Sequence, residues 1–139
     1  MTVDEKLTAR VEALQRVPMF ANLSLWSLER IARVASEVDI PAGQLLIEPR
    51  AKGAGMYLIQ DGTVTVHVIG KRLRELGPGE VVGELALLRR DGARSARVQA
   101  KTPVRCLAID RESFRRLLAE EPGLALAILE VVVDRLSVD

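Results

Sequence analysis

Two short stretches carry the side chains best suited to chemistry, Gly83-Glu84-Leu85-Ala86-Leu87-Leu88 and then Arg94-Ser95-Ala96-Arg97-Val98. Gly83 lets backbone come close to a bound molecule, because it has no Cβ and tolerates positive φ. Glu84 to Leu88 is helix-prone, and the first N–H groups of a helical turn lack internal partners, which favours an anion there. Arg94 offers a planar fork of donors suited to phosphate, and Ser95 adds a hydroxyl beside it. Glu84 differs in kind: its carboxylate repels phosphate but accepts hydrogen bonds strongly from sugar hydroxyls. A negative acceptor and a positive donor flanking one turn fit a sugar phosphate. They also fit a plain surface ion pair between Glu84 and Arg94, so these residues alone leave both readings open.

The remaining candidates for chemistry read as structural. His67 is the single histidine, and it falls on the polar face of its strand, so it is expected in solvent and not on a metal. An enzyme built on a comparable barrel would need a cage of several histidines. Cys106, the single cysteine, alternates with Val104 and Ala108 and is expected as a buried thiol. It allows no internal disulfide, so a reducing compartment is expected. Arg89-Arg90 and Arg115-Arg116 read as solvated faces, and Trp26 as helix packing. No cofactor is implied.

The elements that must position these residues follow from period and punctuation. Leu7, Val11, Leu14 and Val17 recur at helical spacing and stop at Pro18. Ser24 is placed to cap a second helix with Leu25, Leu28, Ile31, Ala32 and Ala35 on one face. From Val38 turn signals arrive every few residues: Pro41-Ala42-Gly43, Gly53 with Gly55, Asp61-Gly62, Gly70-Lys71 and Pro78-Gly79. Between them lie short strands. In Thr63 to Ile69, Val64, Val66 and Val68 share one face, and Asp61-Gly62 ahead of them reads as a tight hairpin turn. With Ser95 to Ala100 and Val104 to Ile109 the run amounts to about eight short strands, a sandwich or roll. Helical period then returns: Asp110 can cap a helix to about Glu120, and Pro122 opens another through Val138.

Size and charge bound the rest. The chain has 139 residues, of which 48% are hydrophobic but only 3% aromatic, so one core of Leu, Val, Ile and Ala in a single domain is expected. Lys and Arg total 20 against 19 for Asp and Glu, a net charge of +1, which supplies no field for gripping a nucleic-acid backbone. The charged start has no signal-peptide core, and the apolar run Leu124 to Val133 falls well short of the ~20 residues that cross a bilayer. A cytoplasmic protein with no transmembrane segment is expected.

The stretch Val81 to Ala100 closely resembles the phosphate-binding cassette of the cyclic nucleotide-binding domain family, and the spacing from Glu84 to Arg94 matches its bacterial catabolite activator branch. The resemblance extends from about Val17 to Leu136, and it implies a mainly β fold with flanking helices. That fold is a β-roll, a double-stranded jelly-roll-like barrel over 38–109 with the cassette at 82–98, preceded by helices in 1–37 and followed by helices in 110–138. It further implies a cyclic nucleotide ligand, cAMP ahead of cGMP. Glu84 would accept the ribose 2′-hydroxyl, and Arg94 would neutralise the cyclic phosphate. Ser95 would hydrogen-bond that phosphate, while Gly83, Leu85 and Ala86 would supply backbone. By ungapped alignment Arg135 falls where a helix-borne arginine approaches the site.

Departures from the family pattern are Arg97 where Thr is common, Val82 where an aromatic or Ile is common, and Arg50 where Gly is usual. Family members also extend the last helix over the pocket, whereas here Asp139 ends the chain, so a shortened lid is expected. Leu126, Leu129, Val132, Val133 and Leu136 recur at helical spacing; in relatives this helix serves as lid and homodimer seam, and it could equally pack against the roll. The function implied is a regulatory sensor without chemistry of its own, acting on an output domain or partner protein outside these residues, either separate or fused in a longer chain. The alternative is a ligand-free β-roll used for protein interaction.

Overall fold

Capping and spacing account for the helices found in the structure, a computed structural model that describes residues 2–48, 55–68, 70–88 and 96–136. Expectations for Arg50, Gly53, Ile69, Arg89, Arg90, Arg94, Ser95 and Val138 fall outside the described residues. Helix α1 (Val3–Gln15) opens where Thr2 Oγ1 accepts the Glu5 N–H at 3.1 Å, with Asp4 and Glu5 favourably placed in its first turn. It buries Val11 and Leu14. The chain then passes into a 3-10 turn, Pro18–Phe20, and on to α2 (Leu25–Val34). Ser24 caps α2 as expected, its Oγ accepting the Ser27 N–H at 3.1 Å.

The buried face of α2 is Ser27, Leu28, Ile31 and Ala32. Two expectations are corrected here. Leu25 is 63% exposed and Trp26 is 50% exposed. At 100° per residue, Trp26 lies opposite the buried arc and Leu25 at its margin. The indole carries the Arg30 guanidinium 4.7 Å from its ring centre, a cation–π contact. Arg30 also reaches Glu121 at 3.5 Å.

Helices α3 (Arg111–Glu120) and α4 (Pro122–Leu136) start where Asp110 and Pro122 predict. They fall in one compact unit with the first two helices, residues 1–34 and 113–139. Its centre includes Phe20 and Phe114, fully buried with ring centres 6.0 Å apart. Helix α4 buries Leu124 and Ile128, one turn apart, whereas Leu126, Leu129 and Val133 are at least half exposed. Of the stripe read from the sequence, these three are therefore not packed, while Val132 is half-buried. Among the described residues no helix is long and apolar enough to cross a membrane.

The second compact unit, residues 35–112, holds the strands. Among the described residues these are β1 (Ser36–Ile40), β2 (Leu45–Ile47), β3 (Gly55–Asp61), β4 (Val64–Val68), β5 (Arg74–Leu76), β6 (Val81–Val82), β7 (Ala96–Ala100) and β8 (Val104–Asp110). They form two four-stranded sheets, in the orders β1-β8-β3-β6 and β2-β7-β4-β5. Every described pair is antiparallel. Alternation explains the core between them. Val64 and Val66 on β4, Val98 and Ala100 on β7, and Val104 and Cys106 on β8 turn inward with Ile40, Ile47, Ile59 and Val82. His67 faces out, as expected.

Asp61-Gly62 does make a turn, but not a hairpin. Strand β3 pairs with β6 and β8, and β4 pairs with β5 and β7, so the chain changes sheets here. A register shift between Ile59 and Asp61 re-aims the strand. Gly62, at φ +92°, lies so close to the turn between β7 and β8 that a Cβ on it would sit 2.3 Å from Pro103 O. The residue type that signals a hairpin is required by a close crossing instead.

Candidate functional site

The cassette begins at the edge of the first sheet. Strand β6 pairs with β3, Tyr57 opposite Val82 and Leu58 opposite Val81. The turn leading into it is tied to β3 at both ends: Gly79 N–H donates to Ile59 O at 2.8 Å, and Ile59 N–H donates to Glu80 O at 2.9 Å. Glu80 closes the same turn by accepting the Gly77 N–H on Oε2 at 2.7 Å. The entry to β6 is thereby held in place, and pairing of Val82 with Tyr57 holds its exit.

Directly after Val82, Gly83 takes φ +79°, a left-handed conformation that costs other residues ~1–2 kcal/mol. It turns the chain into a single 3-10 turn, Glu84–Leu87, as the helix-prone residues predict. Leu87 is fully buried and seats this turn. Sequence reading gave Leu87 no such role, although Leu85 to Leu88 is the only part of the cassette apolar enough to anchor it. Glu84 is half-buried, with its Oε2 shielded from solvent, so its carboxylate does not simply project into water. Gly83, Glu84, Leu85 and Ala86 thus follow one another around one tight turn; of Leu85 and Ala86 only the backbone is described.

At its other end the cassette joins β7, described from Ala96, in the second sheet. Val82 and Val98 belong to the same hydrophobic core although they lie on different sheets. The connection between them is anchored at both ends in that core. Arg94 and Ser95 lie within it, outside the described residues. Arg135 belongs to α4 in the helical unit, and its side chain is likewise outside them. Of the residues expected at the site, the structure therefore brings together Gly83 through Ala86. Arg97, one of the departures from the family pattern, is exposed on β7.

Two other features of the roll lack the chemistry of a nucleotide site. A surface groove of about 390 Å³ is lined by Asp39, Ile40, Pro41, Asp61, Pro103, Val104 and Arg105, with no cassette residue among them. Asp39 and Arg105 pair across it at 3.2 Å, both largely exposed; the hydrogen bond and charge of Asp39 raise the Arg105 pKa further. Cys106 is fully buried, as expected, and burial aided by the Asp39 charge pushes its thiol up to about 11. At neutral pH it is a protonated core group whose Sγ approaches Val38 O at 3.7 Å.

Comparison with known proteins agrees with this architecture. The family model for the cyclic nucleotide-binding domain matches residues 37–121. A Rhodopseudomonas palustris protein named as a potassium channel is 33% identical over 124 residues, 86% of this chain and 30% of that protein. The cAMP-dependent protein kinase regulatory subunit of Emericella nidulans is 33% identical over 107 residues, 76% of this chain and 26% of that protein. Among solved structures, the N-terminal domain of a transcriptional regulator from Streptomyces coelicolor superposes with a TM-score of 0.76 at 32% identity, over 89% of this chain and 91% of that one. The chain spans less than a third of the length of these two curated relatives.

Proposed function

The chain belongs to the cyclic nucleotide-binding domain family, and from that premise we propose that it is a regulatory sensor that binds a cyclic nucleotide monophosphate, cAMP ahead of cGMP. The observation that carries this reading is the Gly83 turn: a left-handed glycine at the exit of an anchored strand, opening a turn with a half-buried carboxylate at its first position. A turn that starts this way presents backbone N–H groups to a phosphate and a carboxylate to a ribose 2′-hydroxyl. In this reading Glu84 accepts that hydroxyl. Arg94 neutralises the cyclic phosphate, Ser95 donates to it, and Gly83, Leu85 and Ala86 line it with backbone. Arg135 approaches from α4. Preference for cAMP draws support from the kinase regulatory subunit, whose name carries that dependence.

The domain performs no reaction of its own. It signals through movement of α4, to which the nucleotide can contribute only its difference in affinity between the two helix positions. The output is an attached domain or a partner protein. Relatives named for a channel, a kinase subunit and a transcriptional regulator support a sensor used with different outputs. Leu126, Leu129 and Val133, exposed on α4, suit a homodimer seam or a surface for that partner. A cytoplasmic location fits a ligand of this kind.

The test is a thermal-shift and calorimetric titration with cAMP, cGMP and 5′-AMP, repeated on Arg94→Ala and Glu84→Gln. At roughly a hundredfold excess over Kd a bound ligand stabilises by about 2.7 kcal/mol. Stabilisation by a cyclic nucleotide that Arg94→Ala abolishes supports the sensor. Flat traces with all three ligands, from folded protein, would leave the roll as a ligand-free interaction domain.

A further inference from the structure

The connection between β4 and β5 has no part in the cassette, and after its Gly70 turn it carries a run of cations around a leucine. It spans 69–73; Ile69 lies outside the described residues, and Gly70, Lys71, Arg72, Leu73 and the first residue of β5, Arg74, are all exposed. The two strands pair antiparallel from Val64 opposite Leu76 to Val66 opposite Arg74. Beyond them the chain reverses tightly: Lys71 N–H donates to Val68 O at 3.0 Å, and Gly70 takes φ +80°. The result is a hairpin end whose described residues from Gly70 to Arg74 are all exposed.

Leu73 at this end is 63% exposed, and the other large apolar side chains exposed to a similar degree among the described residues lie on the helices. It contributes nothing to the core of the roll. Around it stand Lys71, Arg72 and Arg74, none of which forms an ion pair among the described residues. Arg97, exposed on β7 opposite His67, adds a further cation on the neighbouring strand. The nearby acid Glu75 is already paired with Lys101. Net charge over the chain is only +1, so this is a local concentration of charge on a nearly neutral molecule.

An exposed leucine among cations has a specific physical complement. A peptide would need a groove to lie in, and the extended backbone of a nucleic acid would leave Leu73 in water. At the boundary of an anionic bilayer, Leu73 can enter the acyl edge while the long basic side chains keep their charges among the headgroups. We propose that the β4–β5 hairpin end docks the roll onto anionic membrane surfaces. This contact is independent of the cassette, and its test does not require the nucleotide to bind.

The test is sedimentation of the 139-residue chain with vesicles of phosphatidylcholine alone or with about 30 mol% phosphatidylserine. Binding is expected to anionic vesicles only, with half-saturation at roughly millimolar accessible lipid, and is expected to be lost near 1 M salt, where the Debye length falls to about 3 Å. Each cation is worth roughly fivefold in partitioning, so joint Lys71→Gln, Arg72→Gln and Arg74→Gln lowers it by roughly a hundredfold. Leu73→Ser is expected to lower it several-fold at unchanged charge. All four side chains are exposed, so circular dichroism and the urea midpoint are expected to be unchanged in both variants. Equal binding to neutral and anionic vesicles overturns the proposal, as does no binding at ten times that lipid concentration. So does a Leu73→Ser variant that partitions like the parent, or a chain that retains an oligonucleotide through these cations and ignores the vesicles.

Discussion

Replacing Gly62 by alanine separates two costs that are usually entangled, provided that Gly43→Ala is measured beside it. Both glycines take nearly the same left-handed conformation, φ +92° and +89°. For either, alanine pays about 1–2 kcal/mol in backbone energy, partly offset by about 0.4–1 kcal/mol from a less flexible unfolded chain. Their surroundings differ. A Cβ on Gly43 meets nothing within 4 Å, whereas one on Gly62 would sit 2.3 Å from Pro103 O and 3.0 Å from both Thr102 Oγ1 and Val104 Cα. Relief demands that a backbone carbonyl move by about an ångström, and overpacking of this kind adds about 1–3 kcal/mol. The same crossing is held by Thr63 N–H to Thr102 Oγ1 at 3.0 Å and Lys101 N–H to Thr63 O at 2.9 Å, bonds that the movement would stretch. Gly43→Ala is therefore expected to cost about 1 kcal/mol or less and Gly62→Ala about 3 kcal/mol. Urea unfolding reads the difference as a lower midpoint at unchanged slope. Equal midpoints for the two variants, within about 0.5 kcal/mol, would refute the claim that a close crossing, and not only the turn conformation, requires glycine at 62.

Four further outcomes follow from the packing and the charges. Cys106, buried with its thiol pushed up to about 11, is expected to resist a thiol reagent at pH 8 until urea unfolds the chain; fast reaction of the native protein would contradict its burial. Because the folded thiol ionises later than the unfolded one, whose ordinary value is 9.0, this group's contribution is fully present below about pH 9 and falls as pH rises toward 11, so stability should decline over that window and Cys106→Ala should flatten the decline. Phe20→Ala and Phe114→Ala, at two fully buried rings 6.0 Å apart, should each cost about 3–5 kcal/mol, with a coupling of about 0.5–1.5 kcal/mol in the double-mutant cycle. By contrast Lys101→Gln, at a pair whose two side chains are each 55% exposed, should change stability by about 0.5 kcal/mol or less and by still less in high salt.

Local signals in the chain were dependable where the physics is local. Ser24 can cap a helix because its oxygen reaches an N–H three residues on, and that contact needs nothing from the rest of the fold. Val64, Val66 and Val68 alternate because a strand has period two, and Gly83 ahead of a helix-prone run marks a turn that backbone sterics alone allow. Trp26 shows the limit. Its hydrophobicity suggests packing, but angular position around α2 and the Arg30 side chain leave it half exposed. On α4 the sequence offered Leu126, Leu129 and Val133 as one face, yet tertiary packing buried Leu124 and Ile128 instead.

The cassette divides in the same way. That Glu84 and Arg94 carry chemistry that fits a sugar phosphate or a plain ion pair was legible from residue types and spacing, and so was a run of short strands, a sandwich or roll, between helix pairs. Which strands neighbour one another was not. Asp61-Gly62 reads locally as a hairpin, yet β3 and β4 part into different sheets because β8, more than forty residues later in the chain, takes the place beside β3. Pairing across such separations is decided by the sum of core contacts and not by any residue at the turn. Sequence alone determined what the Gly83 turn is made of; the tertiary structure decided that Val82 and Val98, from opposite sheets, share one core, and so where the ends of that turn's connection are held.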